Sequence, residues 1–317
     1  MNIPDTGPTA LLRAIPASMR EPADIIVDHL QHGTFQRSMS LLVAGTSMVS
    51  GMEVAYEHYK GSYSNPVMYT PVILSGTLTI AAICGFFNRT LATTFLRYTS
   101  FLTLVDGLVG FGFHIRGIFR KPGGWRLPIT NIVMGPPLFA PLLFGTSAYL
   151  GVIASYLQRE EDHGVRSRAA ESSLSLRKPS FGDDIRMGRF QKHLCMVCAI
   201  GTFAVGAESW YSHYKDDFKY RVQWSPILLA PLMIFAALAS LRSRRVANTL
   251  LPAASALLML NGVVGTGYHI RGIARRSGGA RKPLYNILYG PPIFAPMLMA
   301  ACGLMGALAY FMRRERD

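Results

Sequence analysis

The sequence predicts an all-α integral membrane protein of eight transmembrane helices, arranged as two tandem, parallel-oriented four-helix repeats. Three observations predict it. Half of the 317 residues are hydrophobic and only 16% are charged, against about 25% in a soluble domain. The apolar residues gather into eight stretches of roughly 17–22 residues, enough to cross ~30 Å of hydrocarbon at ~1.5 Å per residue. And the chain matches itself without a gap at an offset of 155 residues.

The expected spans are about 39–57, 70–87, 95–114, 137–157, 194–212, 226–242, 246–268 and 291–311. Arg97, Arg242 and Arg244 sit near span ends, where long basic side chains can reach the interface. Residues 1–34 hold four prolines and no apolar core beside a cleavage site, so the first span is expected to serve as its own targeting signal. A short surface helix is expected over Ala23 to Leu30.

The self-match covers about 46 identities in 125 aligned positions. His58-Tyr59-Lys60 falls on His213-Tyr214-Lys215, and His114-Ile115-Arg116-Gly117-Ile118 on His269-Ile270-Arg271-Gly272-Ile273. Gly135-Pro136-Pro137 falls on Gly290-Pro291-Pro292, and Phe139-Ala140-Pro141 on Phe294-Ala295-Pro296. Self-similarity at one fixed period marks a duplicated unit. The chain thus divides into an N-terminal cytoplasmic segment (1–34), a first repeat (35–158), a polar, flexible cytoplasmic linker (159–189) and a second repeat (190–317). An even number of spans per repeat sends both copies into the membrane the same way, related by a pseudo-twofold axis along its normal.

The net charge of +14 fits basic residues flanking spans and facing anionic lipid, and no nucleic-acid recognition motif accompanies it. About 19 of the 32 basic residues fall on the side of the termini. The positive-inside rule then places both termini in the cytoplasm of a bacterial-type inner membrane. Cys84, Cys195, Cys198 and Cys302 lie in spans and read as structural thiols; Cys195 and Cys198 face Ser40 and Val43 in the other repeat, which are not a ligand pair. His29, His32 and His163 have no counterpart in the repeat and read as solvated surface.

The shared polar residues converge at one membrane face, opposite the termini. Glu53 and Glu208 lie near the end of the first helix of each repeat, with His58 and His213 just beyond. His114 and Arg116, with His269 and Arg271, close the third helix; Asn131 and Asn286 follow in the loop. Ionisable groups inside a membrane find a partner, a proton or a metal. Two His and one carboxylate per repeat suit a transition metal. A heme b held by His58 and His114, with Arg116 on a propionate, suits the same residues. Glu53 stands ~7 Å below His58 along the helix, so it serves as a third ligand or orients one. Asn131 is expected to tie down the loop. Pro141 is expected to free the carbonyl of Pro137 and kink the fourth helix. Interfacial histidines bonded to backbone are the plainer alternative.

Asp106 lies mid-span and its counterpart is Asn261; the replacement favours an interhelical hydrogen bond over a proton relay. The Gly-rich patches 107–110 and 262–265 read as close helix packing.

In broad plan the chain resembles the eight-helix membrane subunits of polysulfide- and dimethylsulfoxide-reductase-type complexes. The likeness is one of architecture, carried by no sequence motif. It implies an electron-transfer subunit and transfers no residue. The function expected is a membrane redox subunit with a His/Glu site for heme, metal or quinol in each repeat, near the periplasmic face. It would meet the lipid bilayer and a periplasmic or membrane redox partner. Two alternatives use the same residues differently: a proton- or cation-coupled transporter through Glu53 and Glu208, and a structural anchor for a partner protein.

Overall fold

The computed structural model describes residues 8, 16–162 and 180–314. These residues are helical, with no strand among them. The first half of the chain contains α1 (Ala17–His32), α2 (Gln36–Lys60), α3 (Thr70–Phe87), α4 (Arg97–Phe119), α5 (Pro128–Val133) and α6 (Ala140–Tyr156). The second contains α7 (Phe181–Arg186), α8 (Gln191–Lys215), α9 (Trp224–Ser240), α10 (Leu250–Ala274), α11 (Pro283–Leu288) and α12 (Ala295–Phe311).

Among the described residues, six helical segments are long and apolar enough to cross a membrane. Four of them, Pro66–Phe87, Arg89–Phe119, Arg221–Ser240 and Leu250–Ala274, are only 17–28% buried over their most apolar stretch. Their outward faces carry Ile73, Ile80, Leu102, Leu108, Leu228, Phe235, Leu260 and Val263. Apolar surface on this scale needs an apolar solvent, which is the bilayer. The other two, Ala140–Asp162 and Gln191–Lys215, are 67% and 56% buried and form the centre. Helix α2 is 25 residues long but is diluted by Ser38, Ser40, Thr46, Ser47, Ser50 and Glu53. Helix α12 is apolar but has 17 residues.

Within each half the first helix packs on the second and fourth, and the third on the fourth; the halves meet through α6 and α8. Helix α4 approaches α6 at Gly107, where a Cβ would stand 2.9 Å from the Pro141 carbonyl oxygen; α10 approaches α12 likewise at Gly262, 2.6 Å from the Pro296 carbonyl oxygen. The Gly-rich patches are therefore packing surfaces, as expected. Thr70 donates to Asp106 (2.8 Å), and Asn261 donates to Ser225 at the equivalent place (2.6 Å). Asp and Asn thus bond the neighbouring helix at the same place, Asp as acceptor and Asn as donor.

Each half begins before its first long helix. Helices α1 and α7 both end at a left-handed glycine, Gly33 (φ 70°) and Gly188 (φ 66°). Phe35 and Phe190 follow and stack at 6.4 Å. The two glycines pack so closely that a Cβ on either would stand 2.6–2.8 Å from backbone of the other segment. The expected helix over Ala23 to Leu30 is longer, and the linker contains an ordered turn: Ser180 and Asp183 form a capping box on α7. The stretch 163–179 of that linker, with His163, lies outside the described residues. His29 and His32 are half-buried and bonded: His29 to Thr34 (2.8 Å) and His32 to Arg313 (2.8 Å). All four cysteines are free thiols.

Candidate functional site

The face opposite the termini is built from three chain segments in each half. The first is the end of the opening helix. His58 and His213 lie in the last turn of α2 and α8. The chain then reverses through two left-handed residues, Ser62 and Tyr63 (φ 58° and 44°) in one half, Asp217 and Phe218 (φ 52° and 47°) in the other. The reversal lets Tyr63 N–H bond the His58 carbonyl and Phe218 N–H the His213 carbonyl, each at 3.0 Å. It also stacks Tyr63 on Tyr69 (4.3 Å) and Phe218 on Trp224 (4.2 Å).

The second segment is the end of the third helix and its loop. Arg116, Arg120, Arg126, Arg271, Arg275 and Arg281 are exposed, and among the described residues none pairs with a carboxylate. Asn131 is buried and donates from Nδ2 to the carbonyls of Pro122 (3.1 Å) and Gly124 (2.8 Å). Asn286 donates likewise to Gly279 (3.0 Å), while its buried Oδ1 has no partner. Both asparagines hold their loops.

The third segment is the start of the closing helix. Gly135-Pro136-Pro137 breaks the chain between α5 and α6, and α6 begins at Ala140 with Pro141 in its first turn. Pro141 therefore does not kink the helix as expected. A proline in a first turn removes an N–H that would be unpaired anyway. The carbonyl of Pro137 is nonetheless free, and the His114 ring takes it: Nδ1 lies 2.5 Å from that oxygen. His269 Nδ1 lies 2.5 Å from the Pro292 oxygen in the same way. A carbonyl has no proton to give, so Nδ1–H is the donor and Nε2 carries the lone pair of the neutral ring. His58 Nδ1 is held the same way by the Met68 carbonyl at 2.6 Å. His213 instead packs beside Phe218 at 6.4 Å.

His58 and His114 lie near the ends of α2 and α4 on this face, and His213 and His269 near the ends of α8 and α10. The glutamates are not brought to them. Glu208 reaches across to the other half, where its Oε1 accepts the Phe139 N–H at the start of α6 (2.9 Å). A carboxylate there meets the positive end of the helix. Glu53 Oε2 is buried without a partner, and Tyr56 beside it reaches the Gly290 carbonyl at 3.5 Å. Among the described residues no group of three or more His, Cys, Asp or Glu is placed to hold a metal ion.

One feature of this face is visible only in three dimensions. A cavity of about 570 Å³ opens between the loop after α2 and the end of α11, with Tyr59, Lys60, Tyr63, Tyr69 and Tyr289 around it. The tyrosines are scattered over 230 positions in sequence. Their one sequence signal is that Tyr63, Tyr69 and Tyr289 are Phe218, Trp224 and Met134 in the other half. No protein-family model matches this chain, and no curated protein or solved structure matches it either.

Proposed function

We propose that the chain is a multi-pass inner-membrane protein with eight spans in two parallel four-helix repeats and both termini in the cytoplasm. Its opposite face then carries one redox-cofactor site per repeat, and the protein serves as an electron-transfer subunit. In this reading α2 and α12 also cross the bilayer. The matched hydrogen bonds of His114 and His269, of Thr70–Asp106 and Ser225–Asn261, and of the residues after Gly33 and Gly188 support the two-repeat arrangement.

The observation that carries the site is the fixed tautomer of His114 and His269. A metal-binding histidine characteristically gives its other ring N–H to a carbonyl or carboxylate, which sets ring orientation and leaves the lone pair for the metal. His58 and His213 supply the second imidazole. Two imidazoles suit heme b axially, or a transition-metal ion whose other positions stay open. The exposed arginines, led by Arg116 and Arg271, would hold propionates or dock an acidic redox partner. The glutamates have a different role in this reading: Glu208 joins the repeats.

The test is the absorption spectrum of the purified protein, oxidised and then dithionite-reduced, with elemental analysis of the same sample. A Soret band that shifts on reduction and is lost in His114→Ala supports heme. Bound iron or copper without that band supports a direct metal site. A colourless, metal-free protein refutes both.

The orphaned Glu53 oxygen favours a second reading, in which Glu53 takes up a proton or cation between the repeats in a transport cycle. A proton- or sodium-dependent flux in proteoliposomes, abolished by Glu53→Gln, separates it from the first.

A further inference from the structure

We propose that the tyrosine-lined groove between the two halves binds a phosphate group, borne by an anionic lipid headgroup or by a free phosphate, at one site per chain. The proposal stands on the groove alone and is independent of the histidine sites.

The lining is built to donate. Tyr59, Ser62, Tyr69 and Tyr289 carry hydroxyls, Tyr63 gives its own to the Ala55 carbonyl (3.2 Å), and Lys60 carries an ammonium with three donors and no acceptor. Among the described residues no carboxylate lines the groove. Lys60 gives one bond to Glu57 (3.2 Å) and lies over the Tyr56 ring (4.6 Å), which leaves it further donors. An ammonium with donors to spare beside phenol hydroxyls in a partly dry cleft attracts phosphate oxygens. The volume of about 570 Å³ is far larger than a lone phosphate and accommodates a headgroup with its glycerol. The groove also lies at the helix ends, among exposed aromatic side chains of the kind that mark headgroup depth.

The other half has lost this chemistry. Asp217, Phe218, Trp224 and Met134 stand where Ser62, Tyr63, Tyr69 and Tyr289 line the groove. Three phenols are gone and Asp216 and Asp217 have been added, while Tyr214 and Lys215 keep their places and Ser212 replaces Glu57. The equivalent position lacks the phenol lining and carries two carboxylates against one, which makes the stoichiometry one.

The test is native mass spectrometry of the full chain in a nonionic detergent, with phosphatidylglycerol or phosphatidylcholine of matched acyl chains added, and calorimetric titration with inorganic phosphate. One phosphatidylglycerol should bind per chain, preferred about fivefold over phosphatidylcholine, as one interfacial lysine provides. Lys60→Gln should remove that preference, Tyr289→Met should reduce it, and Lys219→Gln should leave it. Tyr289→Met inserts the residue the other half already carries there, so a folding failure does not obscure the result. Binding of inorganic phosphate that is lost in Lys60→Gln, without a lipid preference, supports the site with free phosphate as its source. Binding of neither, or a lipid preference unchanged in both groove variants, overturns the proposal.

Discussion

Removing the Glu208 carboxylate should destabilise the protein far more than removing its counterpart Glu53. The two residues occupy equivalent positions, but only Glu208 Oε1 accepts a backbone N–H, from Phe139 at 2.9 Å, while Glu53 Oε2 is buried without a partner. Glu208→Ala and Glu53→Ala delete the same atoms from equivalent helices, so the loss of packing is roughly common to both. What differs is the Phe139 N–H, which Glu208→Ala leaves without its acceptor at a cost of about 1–3 kcal/mol. The expected difference is about 2 kcal/mol, a factor of roughly 30 in the unfolding equilibrium. Glu208→Gln keeps an acceptor oxygen and should recover about half of it. The assay is reversible unfolding in mixed micelles by titration with a denaturing detergent, followed by the fluorescence of the three tryptophans. Equal losses for the two alanine variants would refute the reasoning, because the cross-half bond would then contribute nothing.

The close approach of helices gives a second contrast. Gly107→Ala and Gly262→Ala push a Cβ against the next helix at 2.9 and 2.6 Å, whereas Gly112 has nothing within 4 Å. The first two should each cost about 1–3 kcal/mol and Gly112→Ala nothing measurable in the same unfolding assay. Asp106→Asn should stay within about 0.5 kcal/mol of the parent, since Asn261 bonds the neighbouring helix at the same place, while Asp106→Leu removes the interhelical bond, leaves Thr70 only the Val67 carbonyl (3.0 Å) and should cost about 1 kcal/mol. Asn131→Ala leaves the carbonyls of Pro122 and Gly124 without their donor; the loss of about 1–3 kcal/mol should appear first as faster proteolysis between Gly123 and Pro128. If His114→Ala alters neither stability nor any bound cofactor, the anchoring bond to Pro137 has no role.

Much of this molecule is legible in one dimension because lipid imposes a simple rule. A chain in hydrocarbon must satisfy its backbone within each helix, so hydropathy alone locates Thr70–Phe87 to the residue and the ends of the other long helices to within six residues. The duplication, read as an offset of 155, singles out His58, His114, Asn131 and their partners, since those positions agree while the lipid-facing ones drift. The Pro137 carbonyl is free because α6 starts only at Ala140, not because Pro141 breaks a bond inside the helix, so the sequence identifies the carbonyl but not the cause. Nor does it identify the recipient: His114 is 23 residues away, and only the packing of α4 on α6 brings the ring there. The same holds for Glu208, whose partner Phe139 belongs to the other half, and for the groove, whose tyrosines come from both. Local sequence determines helices, breaks and lone donors, because those depend on neighbours three or four residues apart. Which donor meets which acceptor across the bundle depends on helix contacts between distant segments, and that the tertiary structure alone decides.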